Sequence, residues 1–195
     1  KSRVKSVQGW ARFRDGKTVA VETEIGLQII RAESIVIATG SVPVELPTLP
    51  FGGKVISSTE ALALSELPAS LAVVGAGYIG LEVAEGLLGR GLDVTVVERL
   101  DAPMGAVLDA DMAAGVADAM KTAGIDLRLG TAVTGFSTAD GRVTAVETAT
   151  GPVAADIVVI GLGVRPNADL ARAAGIGVGE AGGIVVDDHL RTDTP

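Results

Sequence analysis

Gly75, Gly77, Gly80 and Glu98 stand at spacings that could hold a dinucleotide. They belong to the run Leu71-Ala-Val-Val-Gly75-Ala-Gly77-Tyr78-Ile79-Gly80-Leu-Glu82, followed by Asp93-Val-Thr-Val-Val-Glu98. Gly75 permits a tight turn. Gly77 has no Cβ, so a pyrophosphate can come close to the backbone. Gly80 lets a helix pack closely on the preceding strand. The start of that helix, at Tyr78 and Ile79, offers unpaired N–H groups and a partial positive charge. A glycine pattern of this kind is common in turns, and a plain βαβ turn is the competing reading. Here an apolar strand precedes it and a helix follows. An acid then closes the next apolar run, at about the usual distance of roughly 20 residues.

Glu98 is suited to accept hydrogen bonds from an adenosine ribose diol. A 2′-phosphate in that place would face a like charge, and two such charges about 4 Å apart at an effective dielectric near 20 repel by about 4 kcal/mol. The acid therefore favours NAD(H) over NADP(H). Arg99 is a candidate to relieve that repulsion; its other reading is a solvated surface residue. Tyr78 reads equally as a site residue or as a tyrosine at a helix start. Glu82 lies in the first helical turn, where the helix dipole already favours an acid. Gly161 and Gly163 could let a nicotinamide approach the end of the apolar run Ile157–Ile160, or could simply turn the chain sharply. His189, among Asp187, Asp188 and Arg191, reads as a solvent-facing residue. Asp109 and Asp111 read as helix caps and not as a metal site, because nothing near them in sequence completes a ligand set.

The elements that must position these residues alternate from Leu71 onward. A strand over 71–74 leads to a helix over 79–89, with Ile79, Val83 and Leu87 on one face and Gly91 as its C-cap. A strand over 94–98, a helix from Asp109 or Asp111 to Ala123 stopped by Gly124, and a strand over 126–129 follow. Ala132–Ser137 and Val143–Thr148 flank Asp140-Gly141, a hairpin signal. Ile157–Ile160 suits a buried parallel strand, and Ile184–Val186 is a last candidate strand. Before residue 40 the pattern is a β-meander: Ala11–Arg14, the turn Asp15-Gly16, then Thr18–Glu22, Leu27–Ile30 and Ser34–Ala38. Pro43, Pro47 and Pro50 mark an extended connection. A short helix starts at Ser57-Ser58-Thr59-Glu60 and ends before Pro68.

Composition sets the outer limits. With 195 residues, 48% of them hydrophobic and only 3% aromatic, the core must be built from Ala, Val, Leu and Ile. The net charge of −8 disfavours nucleic acid and anionic membrane as partners. The absence of cysteine excludes disulfides and thiolate metal sites within the chain. No apolar run reaches the roughly 18 residues of a membrane span. Lys1-Ser-Arg-Val-Lys5 has no apolar stretch behind it, so no signal peptide is expected and a cytoplasmic location is the expectation.

Several separate motifs together resemble the flavoprotein disulfide reductases, the FAD-containing pyridine nucleotide-disulfide oxidoreductases. Ile35-Val-Ile-Ala38-Thr39-Gly40-Ser-Val-Pro43 resembles their A-T-G segment. Gly75–Glu82 resembles their NAD(P)H fingerprint, and Gly161-Leu-Gly163-Val-Arg165-Pro166-Asn167 their later G-x-G-x-x-P motif. Gly9–Phe13 and Ile56–Ala63 resemble the dihydrolipoamide dehydrogenase branch. From about Val83 onward, residues 163–170 and 176–187 lean towards coenzyme A disulfide reductases and NADH oxidases. A divergent member or a recombined chain would each give that mixture.

The resemblance implies an α/β fold: a Rossmann-like three-layer NAD(H)-binding domain with a β-meander at 68–195, a linker with a short helix at 45–67, and an antiparallel remnant of the FAD domain at 1–44. It implies NAD(H) at Gly75, Gly77, Tyr78, Ile79, Gly80, Glu98, Arg99, Gly161 and Gly163, and FAD at Ala38, Thr39 and Gly40. Tyr78 would gate flavin and nicotinamide, and Glu82 would help position them. The parent reaction would oxidise dihydrolipoamide with NAD⁺, electrons passing from a dithiol through a cysteine pair and FAD to nicotinamide, in a homodimer. The family's first FAD motif and redox cysteines are not in this sequence, which ends at Thr192-Asp-Thr-Pro195. The chain is therefore expected to be a fragment supplying the nicotinamide-dinucleotide half. Two other readings stay open: a fragment of a coenzyme A disulfide reductase or NADH oxidase, and a non-catalytic truncated chain that self-associates.

Overall fold

The computed structural model describes residues 4–194. The first residues of the charged N-terminal segment, and Pro195 at the other end, lie outside the described residues. The chain forms two compact units, one of Lys1–Val42 with Arg165–Pro195 and one of Pro43–Val164. The expected division kept 68–195 together; the structure groups the residues from Arg165 onward with the N-terminal meander.

In the first unit, β1 (Trp10–Asp15), β2 (Thr18–Thr23) and β3 (Gly26–Arg31) form an antiparallel sheet with β2 in the centre. The Asp15 carboxylate closes the first turn by accepting from the Lys17 amide at 2.9 Å. Central β2 buries Thr18, Ala20 and Val21, whereas Trp10, Leu27 and Ile29 on the edge strands are exposed. The expected strand Ser34–Ala38 does not form. Among the described residues no strand pairs with it, so the β-propensity of Ile35-Val36-Ile37 has no ladder to join, and Val36 is 88% exposed. The short β4 (Ser41–Pro43) follows.

The second unit is built on a parallel sheet in the order β5 (Val55–Ser57), β12 (Ile157–Ile160), β6 (Ser70–Val74), β7 (Asp93–Val97), β8 (Asp126–Arg128). Ser57 ends β5 and caps α1 (Ser58–Leu62). Its hydroxyl accepts from the Thr59 amide at 3.1 Å, while Glu60 reaches back to the Ser57 amide at 2.9 Å, a capping box. α2 (Tyr78–Leu88) follows β6, and α3 (Ala110–Ala123) follows β7. The buried residues of α2 are Gly80, Ala84 and Leu87: Leu87 lies on the expected face, whereas Ile79 and Val83 are only half-buried and Gly80 and Ala84 take the buried places. Small residues at 80 and 84 let this helix lie close to the sheet. Its C-cap is Gly89 and not Gly91. Asp109 occupies the N-cap of α3 without a side-chain cap bond, and Gly124 stops the helix in the left-handed conformation. The antiparallel sheet of β9 (Val133–Ala139), β10 (Arg142–Thr148) and β11 (Val153–Ala154) turns at Asp140-Gly141, both with positive φ (51° and 73°) as a type I′ hairpin requires.

Alternation along the parallel strands sorts their side chains into two cores. Leu71, Val73, Val94, Val96, Ile157 and Val159 pack with Ala84 and Leu87 of α2 and Met120 of α3. Ala72, Val74, Val158 and Ile160 pack with Val143, Val146 and Val153 of the antiparallel sheet. The unit is therefore three-layered: helices, parallel sheet, antiparallel sheet. Both faces of β6 and β12 are covered, which explains their unbroken apolar runs.

Beyond β13 (Val164–Pro166), α4 (Asp169–Ala173) belongs to the first unit and buries Ala171. Ile184–Val186 is not a strand; Ile184 forms only an isolated bridge to Val178. Among the described residues, no helix is long and apolar enough to cross a membrane.

Candidate functional site

From β6 the chain steps outward through β7 to β8, then returns to place β12 on the other side of β6. Strand order thus reverses between β6 and β12, the kind of point where open α/β sheets bind ligands at strand C-termini. Three segments meet there: residues 75–79 after β6, which include the start of α2, 98–107 after β7 and 161–163 after β12. They line a cleft of about 240 Å³.

The glycines explain how the loops come so close. Gly75 has φ of +101°, and a Cβ on it would lie 3.0 Å from the Gly161 carbonyl oxygen. A Cβ on Gly161 would lie 3.0 Å from the Cα of Gly80. Backbone thus packs on backbone at three positions. Two further bonds tie the strand ends: the Gly75 amide donates to Val97 O and the Gly161 amide to Val74 O, each at 2.8 Å. Gly77 differs. A Cβ there would meet nothing within 4 Å, and as N-cap of α2 it has no side chain to satisfy the first helical N–H groups. Tyr78 and Ile79, the first residues of α2, line the cleft beside Gly77, an arrangement that fits an anionic ligand.

Glu98 lies at the lip of the cleft. Its Oε2 accepts from the Ala76 amide at 2.7 Å and its Oε1 from the Leu100 amide at 2.8 Å. A carboxylate has about four acceptor positions, so roughly two remain for hydroxyl donors. Tyr78 is 60% exposed at the cleft margin. The structure therefore brings Gly75, Gly77, Tyr78, Ile79, Glu98, Gly161 and Gly163 to one cleft. Gly80 packs beneath the glycine turn and does not line the cleft, and Arg99 is exposed outside it. Glu82 is exposed on α2, and it forms no ion pair among the described residues. Asp111 accepts from the Met112 amide at 2.9 Å. No cluster of potential metal ligands occurs among the described residues.

Ala38, Thr39 and Gly40 belong to the other unit. There the Thr39 hydroxyl donates to Asn167 O at 2.6 Å, the Asn167 side-chain amide donates to Thr39 O at 3.3 Å, and the Asn167 backbone amide donates to Gly40 O at 3.0 Å. The A-T-G and R-P-N motifs are thus one hydrogen-bonded feature, although 128 residues separate Thr39 from Asn167.

The segment missed from sequence is Leu100–Val107, one wall of the cleft. Pro103 is buried within it, and Met104 takes a left-handed φ of 55° while its amide donates to Ala76 O at 2.8 Å. Its one sequence signal was Pro103 and Gly105, five and seven residues after Glu98.

The layered sheet, its glycine turn and the acid after β7 define a Rossmann-like α/β protein. The chain belongs to the pyridine nucleotide-disulphide oxidoreductase family, whose model matches residues 1–195. It is 43% identical over 194 residues to dihydrolipoyl dehydrogenase of Pseudomonas aeruginosa, covering 98% of this chain and 42% of that protein. It is 41% identical over 187 residues to rhodocoxin reductase of Rhodococcus erythropolis, covering 92% and 43%. A crystal structure of an FAD-dependent pyridine nucleotide-disulphide oxidoreductase from Desulfovibrio vulgaris matches with a TM-score of 0.85 at 28% identity, covering 96% of this chain and 50% of that one. The chain thus spans less than half the length of these two curated relatives.

Proposed function

We propose that this chain is the nicotinamide-dinucleotide-binding portion of an FAD-dependent disulfide oxidoreductase whose whole reaction oxidises dihydrolipoamide with NAD⁺. The observation that carries this reading is the open N-terminus of α2 at Gly77, with Glu98 on the adjoining lip of the same cleft. The first amides of α2 would receive the pyrophosphate. The unused acceptor positions of Glu98 would take the adenosine ribose hydroxyls, with Arg99 beside them. Gly161 and Gly163 would border the nicotinamide half. Tyr78, exposed at the margin, would gate access to it, and Glu82 would help to position flavin and nicotinamide. Ala38, Thr39 and Gly40 would meet FAD. Bound nicotinamide and flavin supply the redox chemistry, and the protein supplies binding and orientation. The dihydrolipoamide assignment is supported by the relative named for that activity.

The test is a calorimetric titration of the chain with NADH and with NADPH, repeated on Glu98→Ala. NADH should saturate, and NADPH should bind more weakly by about two to three decades where the charge repulsion is unrelieved. The variant should lose that preference. Absence of binding by either nucleotide sinks the proposal.

A further inference from the structure

Ala76, between the first two glycines of the turn, is fully buried, and both of its backbone polar groups are engaged. Its N–H donates to Glu98 Oε2 at 2.7 Å, and its carbonyl accepts from Met104 N–H at 2.8 Å. The other oxygen of Glu98 accepts from Leu100 N–H at 2.8 Å. One carboxylate therefore joins the turn after β6 to the loop after β7. The backbone of Glu98 is itself fixed: its N–H donates to Arg128 O at 2.9 Å and its carbonyl accepts from Thr131 N–H at 2.8 Å. Met104 closes the same circuit from a left-handed conformation that a non-glycine residue adopts only under tertiary constraint.

We infer that Glu98 is a positioning residue of the cleft: its carboxylate sets the spacing of the glycine turn and the Leu100–Leu108 segment independently of any ligand. The ligand part of this inference rests on reading the cleft as a dinucleotide site. The two amides orient the carboxylate and leave its other acceptor positions free. Removing the side chain would strand the buried Ala76 N–H without a partner and release Leu100. The wall of the cleft would then loosen along with the loss of any ribose contact.

Residue-resolved hydrogen exchange on the full 195-residue chain, without ligand, tests the positioning role. In Glu98→Ala, the Ala76 and Leu100 amides should exchange at least about tenfold faster. Val107 and Leu108, which donate to Met104 O, should follow, while the β12 amides should keep their rates. In Glu98→Gln the single carbonyl oxygen can still accept one bond, so only one of the two amides should regain protection. Unchanged rates at both Ala76 and Leu100 would overturn the inference, and so would equal acceleration throughout β12.

A second arm uses an NADH analogue whose adenosine ribose lacks both hydroxyls. A Glu98 that acted only on the ribose would leave analogue binding the same in wild type and Glu98→Ala. A positioning Glu98 requires the variant to bind the analogue at least about threefold more weakly. If the wild type binds neither NADH nor the analogue, the functional reading falls and the exchange arm alone decides the positioning role.

Discussion

A methyl group on Gly80 would sit 2.0 Å from the carbonyl oxygen of Gly75. The oxygen is backbone and the turn that carries it is packed on Gly161, so it has no room to withdraw. Gly80→Ala must therefore push α2 away from β6, at a cost of about 1–3 kcal/mol or more, as for other overpacked cores. Thermal unfolding should show a clear drop in midpoint.

Gly77→Ala makes the opposite case. Gly77 has φ of −75°, ordinary for any residue, and a Cβ would meet nothing. Stability should change by less than about 0.5 kcal/mol. If the space before Gly77 receives a pyrophosphate, NADH affinity should nevertheless fall in calorimetry. A variant that binds NADH as well as wild type would remove the reason for assigning that space to the phosphates.

Acid titration should reveal the Ser57–Glu60 cap. The Ser57 hydroxyl, then the Ser57 amide, holds the Glu60 carboxyl below its ordinary value of 4.5. The Ser70 hydroxyl, then the Ser70 amide, does the same for Asp156, whose ordinary value is 3.8. A carboxyl with a lowered folded value adds stability that is complete above its ordinary value and is lost as pH falls through the folded value. Both groups are exposed, so solvent keeps each contribution small. Ser57→Ala should cost about 0.5–2 kcal/mol at neutral pH through the lost cap. It should also flatten the decline in urea midpoint as pH falls below the ordinary Glu60 value of 4.5. An unchanged acid slope would count against the cap as its source.

Thr39 and Asn167 should behave as a coupled pair. Thr39→Val and Asn167→Ala each break a bond between the same two segments, at about 1 kcal/mol apiece. The double variant should cost less than the sum of the singles, because each removes what the other stabilised. Strict additivity in denaturant unfolding would mean that the two bonds act independently.

The glycine turn, Glu98 and the strands from β6 to β10 were legible because each rests on a local pattern: an apolar run, a helical period, a turn pair. The Leu100–Val107 wall was not legible. Its conformation comes from Met104 bonding to Ala76 and from the burial of Pro103, contacts that no period announces. On α2, Leu87 was legible but Gly80 and Ala84 were not, because they carry little hydrophobic weight yet are the residues that fit against the sheet. Ser34–Ala38 has the composition of a strand, and composition cannot supply the neighbouring chain that a ladder needs. The bonding of Thr39 to Asn167 joins opposite ends of the sequence and had no local signal at all.

The place of β12 has a consequence for how the molecule is made. It lies between β5 and β6, yet it is the last strand of that sheet to leave the ribosome. At about 5–20 residues per second, translation leaves the adjoining side of β6 unpaired for several seconds while residues 75–156 emerge. The apolar run Leu71–Val74 is exposed to other nascent chains in that interval. Slowing synthesis ahead of Ile157 would lengthen the exposure, so yield in the cell should respond to codon choice across the antiparallel insertion.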